Sequence, residues 1–196
     1  MAAGLKLVFV PLTPERWPDL EKLFGERGAC GGCWCMAWRH SRADFAKGKG
    51  DGNKRAFRKL VAGNAQPGIL AYDGDEPIGW CAAAPRQVYT YLERSRVLAP
   101  VDDQAVWSIS CLFVARPYRR RGISVRLLKA AAAFAREKGA KVVEGYPVEP
   151  YSKDMPAVFA WTGMVSAFRK AGFKEILRRS KTRPIMRRGK TKSPKR

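Results

Sequence analysis

No stretch of this 196-residue sequence approaches the about 18 consecutive apolar residues a helix needs to cross a bilayer, so no membrane span is predicted. The opening residues, MAAGLKLVFVPLTPERW, lack the layout of a secretory signal, and the cytoplasm is the expected compartment. Acidic residues are scarce: 17 Asp and Glu stand against 38 Lys and Arg, a formal net charge of +21. Cysteine is too sparse and too odd in number for a disulfide framework. The five, Cys30, Cys33, Cys35, Cys81 and Cys111, fit reduced thiols better. Internal repeats are absent, and no linker interrupts the chain before its C-terminal tail.

What is present points to one globular domain. The chain is long enough to bury a core, and an apolar content of 46% with interleaved strand and helix patterns argues α/β or α+β rather than disorder. The positive charge is uneven: residues 178–196 hold ten Lys or Arg and no acid. We therefore expect a domain over residues 1–188 and a basic disordered tail, GKTKSPKR, over 189–196. Such a tail fits a weak electrostatic contact with nucleic acid, or simply a solubilising role.

The most informative stretch runs from Ala105 to Lys138. Val106, Ile109, Leu112, Phe113 and Val114 form a β-rich apolar run that Pro117 closes. Leu127, Leu128, Ala131, Phe134 and Ala135 then recur at helical spacing until Gly139. Between them lie Arg119, Arg120, Arg121, Gly122, Ile123 and Ser124. Free N–H groups at a helix start, a glycine allowing close approach and three guanidinium groups together suit a pyrophosphate.

Elsewhere, KLVFVP (residues 6–11) reads as a strand, and Thr13-Pro14 as the start of a helix carrying Trp17, Leu20, Leu23 and Phe24. The segment ACGGCWCMAWRH (29–40) supports several readings. Cys30, Cys33, Cys35 and His40 are ligand types suited to zinc, although three thiols within six residues would be cramped and no second cluster follows. A cysteine activated by Arg39 or His40 is a second reading. A third is a small-residue turn that sets Trp34, Met36, Trp38 and Arg39 against a cleft, and cysteines and tryptophans filling a core are the fourth. The glycine-rich, charged residues 41–52 read as a mobile connection and 53–62 as a helix. Residues 69–72 and 77–84 flank the turn Asp73-Gly74-Asp75-Glu76 as a hairpin, whereas 86–100 give no decisive signal. Val142–Val148 reads as a strand parallel to the central one, Thr162 as the cap of a helix bearing Val165 and Phe168, and 176–177 and 185–186 as two last strands.

In this order, and with LFVARPYRRRGIS at its centre, the sequence resembles the GNAT superfamily of acyl-CoA-dependent N-acetyltransferases. The family's Q/R-x-x-G-x-G/A turn corresponds to Arg119-Arg120-Arg121-Gly122-Ile123-Ser124, with Ser124 in place of the usual small final residue. Pro77-Ile78-Gly79-Trp80 and Ala171-Gly172-Phe173 also match common positions, and the likeness covers roughly residues 5–188. It implies a mixed, mostly antiparallel sheet flanked by helices. It also implies a bulge within Trp107–Val114 that splays two parallel strands around the co-substrate acetyl-CoA. Backbone groups near Phe113, Val114 and Ala115 would then pair with the pantetheine arm, and the turn 119–124 would hold the pyrophosphate.

The usual proton-transfer groups are missing. Where many relatives carry a glutamate on the central strand, this chain has Ser108-Ile109-Ser110; where they carry a tyrosine on the last helix, it has Phe168. Ser108, Ser110 and Tyr151 are the candidate substitutes, with Tyr146 and Glu149 also in range. The expected function is direct acetyl transfer to a primary amine of a small molecule or peptide, without a metal, by a monomer or homodimer. Acetylation of aminoacyl-tRNA or a ribosomal protein, and acyl-CoA binding without catalysis, are the alternatives.

Overall fold

The computed structural model describes residues 5–152 and 155–189. Strand β1 (Leu7–Pro11) leads through a 3-10 turn at Pro14–Arg16 into helix α1 (Trp17–Phe24), whose Trp17, Leu20, Leu23 and Phe24 are buried. Helices α2 (Arg42–Lys47) and α3 (Asp51–Ala62) follow, then the hairpin of β2 (Gly68–Asp73) and β3 (Glu76–Pro85). After the short α4 (Thr90–Arg94) come β4 (Trp107–Val114), the long α5 (Ile123–Glu137) and β5 (Val142–Gly145). The last described elements are α6 (Val165–Lys170), β6 (Lys174–Arg178) and β7 (Pro184–Gly189).

The strands make one sheet in the order β1-β2-β3-β4-β5-β7-β6, antiparallel throughout except for β4 and β5. That exception follows from α5, which returns the chain across the sheet so that β5 runs with β4. Leu127, Leu128, Ala131, Phe134 and Ala135 of α5 bury against Ile78, Ile109 and Phe168 on one face. The other face buries Trp17, Phe24, Phe57 and Trp80 beneath α1 and α3. Each fully buried large side chain contributes about 2 kcal/mol of transfer free energy, so the two layers clamp the sheet from both sides.

Two local features position the site. Ala82 pairs with Cys111 but Ala83 with Ile109, so Ser110 is the extra residue of a bulge in β4. The β4–β5 pairing then covers only Trp107–Ile109 against Val143–Gly145. Gly145 ends β5 under the ring of Phe168, where a Cβ would come within 2.1 Å of Phe168 Cε1; only glycine lets the two approach. Beyond this point the two parallel strands separate.

Several sequence expectations need correction. Residues 41–52 are ordered: Ser41 caps α2 by accepting from the Asp44 amide, and buried Asn53 donates to the carbonyls of Gly32 and Phe45. The parallel strand stops at Gly145 rather than Val148, which makes only an isolated bridge to Met164. Met164, not Thr162, is the N-cap residue of α6; the Thr162 hydroxyl instead accepts from Arg183. Gly189 is the last residue of β7, paired with Val142, and residues 190–196 of the expected tail lie outside the described residues.

Candidate active site

Where β4 leaves β5, a cleft of about 460 Å³ opens between Leu112, Phe113 and Val114 on one side and Ala160, Trp161 and Gly163 on the other. It reaches Arg119, Arg120, Gly122, Ile123 and Ser124 at the start of α5. The Ala115 amide donates to Ile78, so alternation along the strand turns the amides of Leu112 and Val114 away from β3 and toward the cleft. Leu112 N–H donates to the Trp161 carbonyl at 2.7 Å, and the Val114 carbonyl accepts from Arg119 Nε at 2.9 Å.

At the far end, Gly122 adopts φ +75°, ψ +4°, and Arg120 also has a positive φ. This left-handed turn aims the first amides of α5 outward. The earliest bonds back into the helix come from Val125 and Arg126 to the Gly122 carbonyl, leaving the preceding amides available. Free donors, the positive end of a 15-residue helix and the guanidinium groups of Arg119 and Arg120 make an anion cradle. The cleft thus fits a long ligand with an amide-bearing arm and a pyrophosphate. Arg121 departs from the set: it turns over the Tyr118 ring and does not line the cleft.

A second cavity, of about 220 Å³, continues inward and shares Ala29, Cys30, Leu112, Phe113 and Trp161 with the first. Its other walls include Cys33, Cys35, Trp38, Phe45, Ser110 and Cys111. Among the described residues lining either cavity there is no carboxylate and no imidazole; Ser110 is the one hydroxyl of the inner cavity. Behind Ser110 lie the buried Tyr89 hydroxyl and the Arg39 guanidinium, which stands 4.8 Å over the Tyr89 ring. Burial pushes the Cys33 thiol up to about 11 and drives Cys35 up as well, so both stay protonated at neutral pH. The described residues contain no group of three His, Cys, Asp or Glu side chains placed to hold a metal ion.

Of the acceptor-side residues named from sequence, only Trp38 lines a cavity, where it stacks on Tyr91 and meets Trp161 edge-on. Trp34 is a core residue, packed on Trp17 and Phe24, because the turn 33–36 folds it inward under α1. Arg39 is held behind the wall by Tyr89. Of the three candidate catalytic residues, Ser110 alone reaches the cavity. Tyr151 is 68% exposed and lines neither cavity. Ser108 is fully buried and bonds the Tyr146 hydroxyl at 2.7 Å.

That last contact belongs to a network the sequence did not reveal. Tyr146 donates to Glu144 Oε1 at 2.6 Å and accepts from Arg86, so Ser108 is its second donor. Arg187 donates to Glu144 Oε2 at 2.7 Å and pairs with Asp102. Burial, then the adjacent Glu144 charge, pushes the Tyr146 phenol well up, so it keeps its proton. These groups lock the paired half of β4 and β5 rather than facing either cavity.

The family model for the acetyltransferase (GNAT) family matches residues 34–158, and the chain belongs to that family. Its activity is acetyl-CoA-dependent N-acetyl transfer. Comparison with curated proteins matched none. Solved structures match over nearly the whole chain. The PaiA N-acetyltransferase from Thermoplasma acidophilum in complex with coenzyme A is 14% identical, with a TM-score of 0.52 and coverage of 95% of this chain and 100% of that one. A GNAT-family acetyltransferase from Listeria monocytogenes is 10% identical, with a TM-score of 0.58 and coverage of 96% and 97%. The NatC complex bound to Gag peptide and CoA is 13% identical, with a TM-score of 0.54 and coverage of 95% and 100%. At these identities the likeness is one of fold. No helix among the described residues is long and apolar enough to cross a membrane.

Proposed function

We propose that the chain transfers an acetyl group directly from acetyl-CoA to a primary amine held in the inner cavity, the amine belonging to a small molecule or peptide. The observation that carries this reading is the early end of the β4–β5 pairing at Ile109, which leaves the cleft-facing amides of Leu112 and Val114 beside the anion cradle. In this assignment the cradle formed by Arg119, Arg120 and residues 122–124 takes the pyrophosphate. Val114 offers its backbone to the pantetheine arm as an added strand would. The Leu112 amide stabilises charge developing on the thioester oxygen.

The reacting atoms balance without a covalent enzyme intermediate. The amine lone pair forms the new C–N bond, the C–S bond breaks with its electrons passing to sulfur, and the amine proton leaves by water at Ser110. With no carboxylate or imidazole among the described residues lining these cavities, the acceptor itself must be neutral to react. The test is CoA release with acetyl-CoA and a series of amines of graded basicity. We expect the rising limb of kcat/KM to follow each amine's own pKa. A limb fixed at one pH for every acceptor would mean that a side-chain base controls the step.

A further inference from the structure

The inner cavity is not closed at its acceptor end. It shares Ala37, Trp38, Phe45 and Trp161 with a cavity of about 340 Å³, which in turn shares His40, Arg42 and Tyr91 with another of about 390 Å³. These form one groove with an aromatic waist, where the Trp38 ring lies parallel to Tyr91 at 5.5 Å and at 73° to Trp161 at 5.2 Å. Past the waist the walls carry Arg42, Arg94, Arg96 and His40 and, among the described residues, no Asp or Glu.

Some arginines elsewhere are matched with acids, Arg178 with Glu149 and Glu175, and Arg187 with Glu144 and Asp102. Here the nearby acids are turned to other partners. Asp44 accepts from the Ser41 hydroxyl at 2.6 Å, and Glu93 pairs with Arg86. Arg42, Arg94 and Arg96 are left exposed around an open cavity.

We infer that the groove takes a peptide whose free N-terminus enters the inner cavity and whose following residues are acidic, their carboxylates meeting Arg42, Arg94 and Arg96. This rests on the reading of the inner cavity as the amine site. An acceptor that reaches both ends must cross the waist, which an extended peptide does with its first residues while the Trp38, Tyr91 and Trp161 rings pack along it. Three partly exposed ion pairs of about 0.5 kcal/mol each combine to about a ten-fold preference for an acidic peptide.

The experiment is fluorescence anisotropy with the CoA-loaded protein and two hexapeptides labelled at the C-terminus. One has Glu at residues three to five and the other has Gln there. We expect the Glu peptide to bind about ten-fold tighter, and the difference to disappear in the Arg94→Glu, Arg96→Glu double variant while its CoA affinity is retained. Equal binding of the two peptides, no binding of either, or a difference that survives the double variant would overturn the inference. Acetyl transfer is measured in parallel. Transfer to both peptides with equal affinity removes the acidic preference and leaves the transferase reading standing. A preserved Glu preference without transfer supports the groove and removes its assignment as an amine site.

Discussion

The Leu112 amide donates to the Trp161 carbonyl at 2.7 Å, so the loop after β5 supplies the partner that the departing strand withdrew. This satisfies a strand donor that would otherwise be lost, and it also covers the group best placed to meet a thioester oxygen. Binding of acetyl-CoA is therefore expected to draw Trp161 away from Leu112. A change in tryptophan emission on CoA addition that is absent in Trp161→Phe would show it. An identical change in that variant would place the response at another tryptophan.

Gly122 has open space where a Cβ would lie, so its requirement is conformational, set by φ +75°. Gly122→Val should cost about 1–2 kcal/mol if the turn is kept, or rotate the α5 amides if it is not. We expect a several-fold rise in the KM for acetyl-CoA with little change in the KM of the acceptor. Kinetics with each substrate varied in turn will separate the two.

Tyr146 and Ser110 sit on neighbouring elements but should respond oppositely. Tyr146→Phe strips a hydroxyl from the buried set of Ser108, Glu144 and Arg86, and should cost about 2 kcal/mol of stability while kcat stays within about two-fold. Ser110→Ala should leave the urea midpoint nearly unchanged and lower kcat by about ten-fold, equivalent to about 1.4 kcal/mol. The crossed pattern, with Tyr146→Phe stable and inactive, would move the catalytic role to the network.

Stability should soften in alkali. Cys33 rises from its ordinary 9.0 to about 11, and Cys35, Cys81, Tyr89 and Tyr146 also rise, in each case chiefly through burial. For Cys33, unfolding between pH 9 and about 11 releases a proton that the folded chain retains. Its contribution is thus complete below pH 9 and is lost as pH rises through about 11. Urea midpoints measured at intervals from neutral pH upward should hold level and then fall from about pH 9. In the same range thiol alkylation of Cys33 should stay slow until the thiolate appears.

What the sequence disclosed was local. The β2–β3 hairpin and the β4–turn–α5 unit each carry their own period and their own Gly or Pro punctuation, so they were readable in place. Helix α2 was not: RADFAK has too little apolar pattern, and its order comes from the Ser41 cap and from Asn53, at the start of the next helix. Trp34 and Trp38 lie one helical turn apart in sequence, yet one enters the core and the other walls a cavity, because residues 34 and 35 take positive φ and reverse the chain. Arg86, Glu144 and Arg187 are far apart in sequence, and only the sheet order, with β5 between β4 and β7 and Arg86 just past the end of β3, gathers and buries them as one charged set. Arg42 and Arg94, more than fifty residues apart in sequence, line one cavity because Trp38, just before α2, stacks on Tyr91 of α4.

Mass spectrometry of a quenched reaction, with protein and acceptor weighed together, tests direct transfer most plainly. The account predicts that the acceptor gains one acetyl group for each CoA released, while the protein mass stays unchanged even though Cys30, Cys33, Cys35 and Cys111 line the inner cavity. Acetylated protein formed and consumed at the rate of turnover, or CoA released without an acetylated acceptor, would contradict it.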